Sequence, residues 1–212
     1  FGLTVPLITK SDGTKFGKTE SGSVWLDAAK TSPYAFYQFW LGTADADVYR
    51  YLRYFTFLDV EEIERLERDD QQRAGRPEAQ RRLATEMTRL VHGQEGLAAA
   101  ERISQALFAG SLGALGESDV LQLRQDGLPA TTLARAELPE TLTQMLSDAE
   151  MAASGKQIKD ALGRQAVTVN ECVLSMDDNA STGVVFDAAR AIFGRFYLVK
   201  LGKKKYHLFE VV

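Results

Sequence analysis

Residues 31–55 read TSPYAFYQFWLGTADADVYRYLRYF, and their periodicity decides the fold of the middle of the chain. Ser32 offers an N-cap side chain and Pro33 a first helical position, so a helix opens here and carries a run of aromatics to Leu41. After Gly42 the pattern restarts: Asp45 or Asp47 caps a second helix, in which Val48, Tyr51, Leu52 and Phe55 recur at i, i+3, i+4 and i+7. Asp59 caps a third helix, with Val60, Ile63 and Leu66 on one face. Pro77 opens a fourth, with Ala79, Leu83, Met87, Leu90 and Val91 inward, which ends near His92-Gly93. Leu97, Ala100, Ile103 and Leu107 mark a fifth, which stops before Gly110.

On either side of this helical region the period changes. Residues 3–9 are apolar and β-branched with one proline, the pattern of a short edge strand, and a polar, glycine-punctuated loop follows over 10–22. Beyond Gly110, short helical pieces around 118–125 and 139–148 flank Gly127-Leu128-Pro129 and read as an inter-domain region. Residues 154–163 then predict a helix and 166–170 a strand, and the runs 195–201 and 206–212 predict a hairpin around Gly202-Lys203-Lys204-Lys205. The expected fold class is α+β multidomain: a mainly α-helical domain followed by a small α+β module, with divisions at 1–26, 27–146 and 147–212.

The 212 residues, 45% hydrophobic and 25% charged, exclude a disordered chain. The net charge of -4 hides three pieces, +1 for 1–26, -6 for 27–146 and +1 for 147–212, and no lysine lies between Lys30 and Lys156. Anion-facing chemistry is therefore expected at the two ends, and any RNA contact there should be local and directed by shape. No run approaches about 18 apolar residues and no leader-like progression opens the chain, so a cytoplasmic protein without a membrane segment is expected. The single cysteine, Cys172, is read as a small core residue beside a strand. With only His92 and His207, no metal-ligating constellation is expected. Because the first residue is Phe1, the chain is expected to be a piece of a longer protein.

The loop at 13–19 raises two readings. Gly13-x-x-x-Gly17-Lys18-Thr19 approaches a phosphate loop but has one residue too few between its glycines, and Glu20-Ser21-Gly22-Ser23 does not propagate the helix such a loop needs. Lys15-Phe16-Gly17-Lys18-Thr19 instead resembles the Lys-Met-Ser-Lys-Ser signature of class I aminoacyl-tRNA synthetases. With Leu3-Thr4-Val5-Pro6-Leu7-Ile8-Thr9, Asp12-Gly13-Thr14 and Glu20-Ser21-Gly22 around it, the stretch is similar to the bacterial tyrosyl-tRNA synthetase family. The likeness continues through Thr31-Ser32-Pro33-Tyr34, Phe36-Tyr37-Gln38-Phe39-Trp40, Thr43-Ala44-Asp45-Ala46-Asp47-Val48 and Thr88-Arg89-Leu90-Val91-His92-Gly93. It reappears in Phe193-Gly194-Arg195-Phe196 and Gly202-Lys203-Lys204-Lys205.

The resemblance implies tyrosine activation by ATP, with Mg as the companion of ATP and no tightly bound cofactor. The tyrosine carboxylate attacks the α-phosphorus, and pyrophosphate leaves as negative charge grows on it. A unit cation at 4 Å is worth about 4 kcal/mol at an effective dielectric near 20, so lysines that approach in the transition state give rate. By resemblance these are Lys15 and Lys18, with Lys18 the direct ATP contact, Gly17 giving the loop freedom to close, and Thr19 keeping a hydroxyl. The family's early His-x-Gly-His-type motif and the first part of its nucleotide-binding domain have no counterpart here. The chain therefore corresponds to the C-terminal half and is expected to be inactive alone. It is expected to be monomeric, although the full-length family dimerises through the other half.

The tRNA specific for tyrosine is the implied partner. Half of the aromatics lie between Tyr34 and Phe57; helical spacing favours core packing over stacking on bases. For Asp45 two readings stand: contact with the anticodon guanine, whose N1-H and N2-H₂ are paired donors, or a helix cap. Asp47 reads as solvent-facing or a second cap. Residues 147–212 resemble an S4-like RNA-binding domain, which would set Lys156, Lys159 and Arg164 on a basic helix and Lys203, Lys204 and Lys205 at a hairpin tip. The module departs from the family pattern in Ser154-Gly155-Lys156-Gln157-Ile158, in Asp160, and in Glu171, which replaces a turn glycine. A stand-alone S4-type RNA-binding protein is the alternative, against which the lysine loop argues.

Overall fold

The computed structural model describes residues 1–4, 7–19, 22–72, 75, 77–109 and 111–212, without the side chains of Lys18 and Thr19. The chain forms two compact units, Phe1–Glu101 and Arg102–Val212.

In the first unit two short strands, β1 (Lys18–Thr19) and β2 (Gly22–Ser23), pair antiparallel. The helices are α1 (Pro33–Leu41), α2 (Asp45–Phe55), α3 (Val60–Gln72) and the opening part of α4 (Ala79–Ala109). Helix α1 starts as its sequence dictates: Ser32 Oγ accepts from Ala35 N at 3.1 Å, and Pro33 needs no donor partner. The amphipathic faces converge on one core of Phe36, Tyr37, Trp40, Val48, Tyr51, Leu52, Ile63, Leu83, Met87 and Leu97. A buried carboxylate joins three helices. Asp70 on α3 accepts from Tyr49 Oη on α2 at 3.0 Å and from the N-H groups of Glu78 and Ala79 at 2.8 and 3.1 Å, capping the start of α4. Burial first, and this hydrogen bond second, push the Tyr49 phenol well above its ordinary range.

Several expectations change here. Residues 3–9 form no strand among those described, and Val5 and Pro6 lie outside them; Thr9 makes only an isolated bridge to Lys15. Among the described residues the apolar run meets no ladder to join. Neither Asp45 nor Asp47 caps α2, whose N-cap is Ala44 with no side-chain bond. Asp47 is buried, not solvent-facing. Gly93 (φ 70, ψ -177) interrupts α4 where the sequence places a helix end, in a backbone region that glycine enters cheaply. Leu90 faces solvent, not the core.

The second unit holds α5 (Glu117–Gln122), which runs on into a π-helical turn at Leu123–Gly127, then β3 (Ala130–Leu133), α6 (Leu142–Asp148) and α7 (Gly155–Gly163). It continues with β4 (Val167–Val169), β5 (Cys172–Leu174), α8 (Thr182–Val185), β6 (Phe196–Leu201) and β7 (Lys205–Val211). The sheet order is β3-β7-β6-β4-β5, with β3 parallel to β7 and the remaining pairs antiparallel. Leu142, Leu146, Ile158 and Leu162 cover one sheet face, against Tyr197, Val199, Phe209 and Val211. The strand β3 and helix α6, which the sequence reading assigns to the preceding domain and linker, share this sheet and core. Cys172 is exposed at the start of the edge strand β5, where Leu174 is the buried residue; the expected core position is corrected. His207 is buried beside Thr131 Oγ1 at 2.8 Å, and burial lowers its pKa. Arg102 holds the fully buried Asp119 with two bonds of 2.7 Å, the fork geometry suited to a carboxylate.

Candidate functional site

The lysine loop is a closed turn fastened to two helices. Lys10 N donates to Thr14 O at 2.8 Å, and Gly13 N to Lys10 O at 3.0 Å with Gly13 at φ 82. Asp12 accepts from Thr14 N and Oγ1 at 2.8 and 2.6 Å, and these bonds hold its carboxyl below the usual range. The exposed Lys15 emerges opposite Thr9. Next to it, the Phe16 ring sits 4.9 Å from Tyr51, 5.3 Å from Trp40, 5.3 Å from Phe55 and 5.7 Å from Phe39. The Phe39 and Trp40 contacts are tilted, the Tyr51 contact is edge-on and the Phe55 contact is stacked at 27°. Gly17 follows at φ 80, a conformation that a side chain would strain.

Alternation at this point turns one residue inward as an anchor and leaves its neighbour in solvent. The side chains of Lys18 and Thr19, assigned by resemblance to ATP contact and a conserved hydroxyl, lie outside the described residues. The aromatic stretch is mostly core: Tyr34, Phe36, Tyr37, Trp40 and Tyr51 are buried, while Tyr54 and Phe57 point outward, Phe57 at 92% exposure.

Asp45 is exposed in the first turn of α2, and Gln80 Nε2 on α4 donates to its Oδ1 at 2.6 Å. The cap reading is thereby removed. The carboxylate is orientated by a neighbouring helix and stays open to solvent, an arrangement compatible with a ligand that offers paired donors.

In the second unit, Ser154 caps α7 by accepting from Gln157 N at 3.4 Å, and Gln157 Oε1 reaches back to Ala153 N at 3.1 Å, close to a capping box. Burial of Ile158 and Leu162 leaves Lys156, Lys159 and Asp160 on the solvent side. Arg164 is also exposed, but its Nε closes the helix end on Asp160 O at 3.2 Å. Lys203 and Lys204 follow Gly202 (φ 63) in the turn between β6 and β7. That turn lies against both flanks of α7: Gly202 N donates to Ala166 O at 2.7 Å and Lys205 Nζ to Met151 O at 3.3 Å. The structure thus gathers the two basic elements that the sequence reading had separated by some forty residues.

Sequence reasoning missed the supports of the lysine loop. Asp47, Arg50 and Tyr51 reach back to residues 9 and 11, and their spacing in sequence carried no signal of it.

A family model described as tRNA synthetases class I (W and Y) matches residues 1–109, and one described as tyrosine--tRNA ligase SYY-like C-terminal domain matches residues 119–209. The chain is 56% identical over 209 residues to the tyrosine--tRNA ligase of Aliivibrio fischeri (strain MJ11), covering 99% of this chain and 47% of that protein. It is 52% identical over 208 residues to the tyrosine--tRNA ligase of Salmonella paratyphi B, covering 98% and 47%. The chain spans about half the length of the curated relatives it matches. Among solved structures, a C-terminally truncated mitochondrial tyrosyl-tRNA synthetase of Aspergillus nidulans is 39% identical over 42% of this chain and 25% of that one, with a TM-score of 0.39.

Proposed function

Because the chain belongs to the class I tRNA synthetases (W and Y), we propose that it is the C-terminal, tRNA-recognising portion of a tyrosine-tRNA ligase. In this reading residues 1–26 complete the catalytic region, the helices of the following part recognise the anticodon, and 147–212, together with β3 and α6 that share its sheet and core, form the S4-like RNA-binding module. The whole enzyme activates tyrosine with ATP, Mg accompanying the nucleotide, and transfers tyrosine to its tRNA. It acts in the cytoplasm as a homodimer, and the 212-residue chain alone is a monomer.

The observation that carries the proposal is the lysine loop: Lys15 is exposed, and the next residue is packed among four aromatic rings. Lys15 and Lys18 meet the charge that builds on pyrophosphate as the tyrosine carboxylate attacks the α-phosphorus. Gly17 permits the final approach, and Thr19 offers a hydroxyl to the same phosphates. Asp45 takes the guanine edge of the anticodon, while Lys156, Lys159, Arg164, Lys203, Lys204 and Lys205 follow the tRNA backbone.

Tyrosine-dependent exchange of labelled pyrophosphate into ATP tests this division of labour. The longer protein containing this sequence should catalyse exchange and the 212-residue chain should not. Exchange by the short chain, or none by the long one, overturns the reading.

A further inference from the structure

We propose that Asp47 is the positioning residue of the lysine loop, a role that rests on the ligase reading above and adds to it a residue which touches no substrate. Asp47 lies in the first turn of α2 and is 2% exposed. Its Oδ2 accepts from Ser11 N at 3.0 Å and from Ser11 Oγ at 3.1 Å. Its Oδ1 accepts from Arg50 Nη2 at 2.6 Å, and the same Nη2 donates to Thr9 O at 2.7 Å. One turn along, Tyr51 Oη also donates to Thr9 O, at 3.2 Å. Thr9 is the residue bridged to Lys15. Residues 9 and 11 are therefore both fixed to α2, and through that bridge α2 sets the place of Lys15.

A buried carboxylate is costly unless its oxygens are paired, and an apolar side chain could fill the same volume without that cost. Here the bonds go to the loop and not to the helix's own core, so what they determine is the register of the loop against α2. Arg50 balances the charge of Asp47, which lets the carboxylate hold the loop without quenching the field of the lysines. Asp45, in the same helical turn, is turned to Gln80 instead. Two carboxylates two positions apart on a helix point to different sides, and only the second serves the loop. Cations that act in the transition state give rate in proportion to how well they are placed beforehand, and a displacement of about 1 Å can cost about a hundredfold.

The test has two arms. In the longer protein, Asp47→Asn keeps the shape but loses the charge, Asp47→Ala removes the clamp, and Ser11→Ala removes one of its bonds. The turnover number for pyrophosphate exchange should fall about a hundredfold for Asp47→Ala, about tenfold for Asp47→Asn and a few-fold for Ser11→Ala. The KM for tyrosine should stay within about twofold of wild type, which a loss of folded protein would also allow; circular dichroism therefore fixes the folded fraction in each sample. In the 212-residue chain, a lysine-specific protease should cut after Lys15 at least about tenfold faster in Asp47→Asn than in wild type, while cleavage after Lys159 is unchanged. A turnover loss no larger than the loss of folded protein, or equal cleavage after Lys15, overturns the proposal. If the wild-type long protein shows no exchange, the ligase reading fails instead, and the cleavage arm still decides whether Asp47 holds the loop.

Discussion

Lys15 in the first unit follows a turn closed by Asp12 and is bounded on one side by the Thr9 bridge and on the other by the half-buried ring of Phe16. Lys203 and Lys204 in the second unit sit in a turn held by the pairing of Leu201 with Lys205 and by one bond from Gly202 to Ala166. The first arrangement determines where a cation stands, through contacts spread over two helices. The second determines only which side of the module is positive. A reaction that develops charge at one atom needs the former, since a misplaced cation stabilises nothing. Tracking a tRNA backbone needs only the latter, since phosphates recur along the strand and screened attraction tolerates movement.

Phe16→Ala should break the comparison most strongly. It removes the ring shared by Phe39, Trp40, Tyr51 and Phe55, and the low end of the range for such truncations, about 3 kcal/mol, applies because the residue is only half-buried. Urea denaturation followed by Trp fluorescence should report that loss, and hydrogen exchange should show residues 9–17 losing protection while the second-unit sheet keeps its own.

Replacing Lys203, Lys204 and Lys205 together by alanine should cost little stability, because their side chains are exposed and the one bond lost is that of Lys205 Nζ to Met151 O. Its effect should appear in tRNA binding, with the slope of log affinity against log salt falling by about one for each lost phosphate contact. An unchanged slope would mean that the turn is not part of the RNA face.

Glu171→Gly should give the smallest effect. Asn170 and Glu171 take φ 45 and 69 in the tight turn between β4 and β5, and Glu171 accepts a bond from Leu112 N. Relief of left-handed strain, about 1–2 kcal/mol, exceeds the loss of one exposed hydrogen bond. A gain of about 0.5 kcal/mol in thermal unfolding is expected, against a loss if the side-chain bond is the stronger contribution.

What the sequence revealed follows a physical divide. Local signals read correctly: Ser32-Pro33 opened α1, the pattern over 154–163 marked α7, and the glycine before three lysines marked the turn between β6 and β7. Signals that depend on a distant partner did not. Asp45 and Asp47 look alike along the helix, and only the fold brings Ser11 to one and Gln80 to the other. The strand β3 is four residues long and pairs in parallel with β7, a partner 78 positions away for Thr132 and Glu210, so no hairpin signal could announce it. Cys172 was read as core from the strand it adjoins, but it lies exposed at the start of β5, and Leu174 is the residue of that strand that enters the core. In the candidate site, the lysines were proposed from resemblance alone, and the groups that hold residues 9 and 11 came only from the coordinates.

Binding of fluorescently labelled tRNA to the 212-residue chain, followed by anisotropy at fixed salt, tests the central claim most directly. The account predicts that tRNA specific for tyrosine binds at least about tenfold more tightly than an unrelated tRNA, a difference of about 1.4 kcal/mol, and that Asp45→Ala narrows the gap. Equal affinity for the two tRNAs would contradict it.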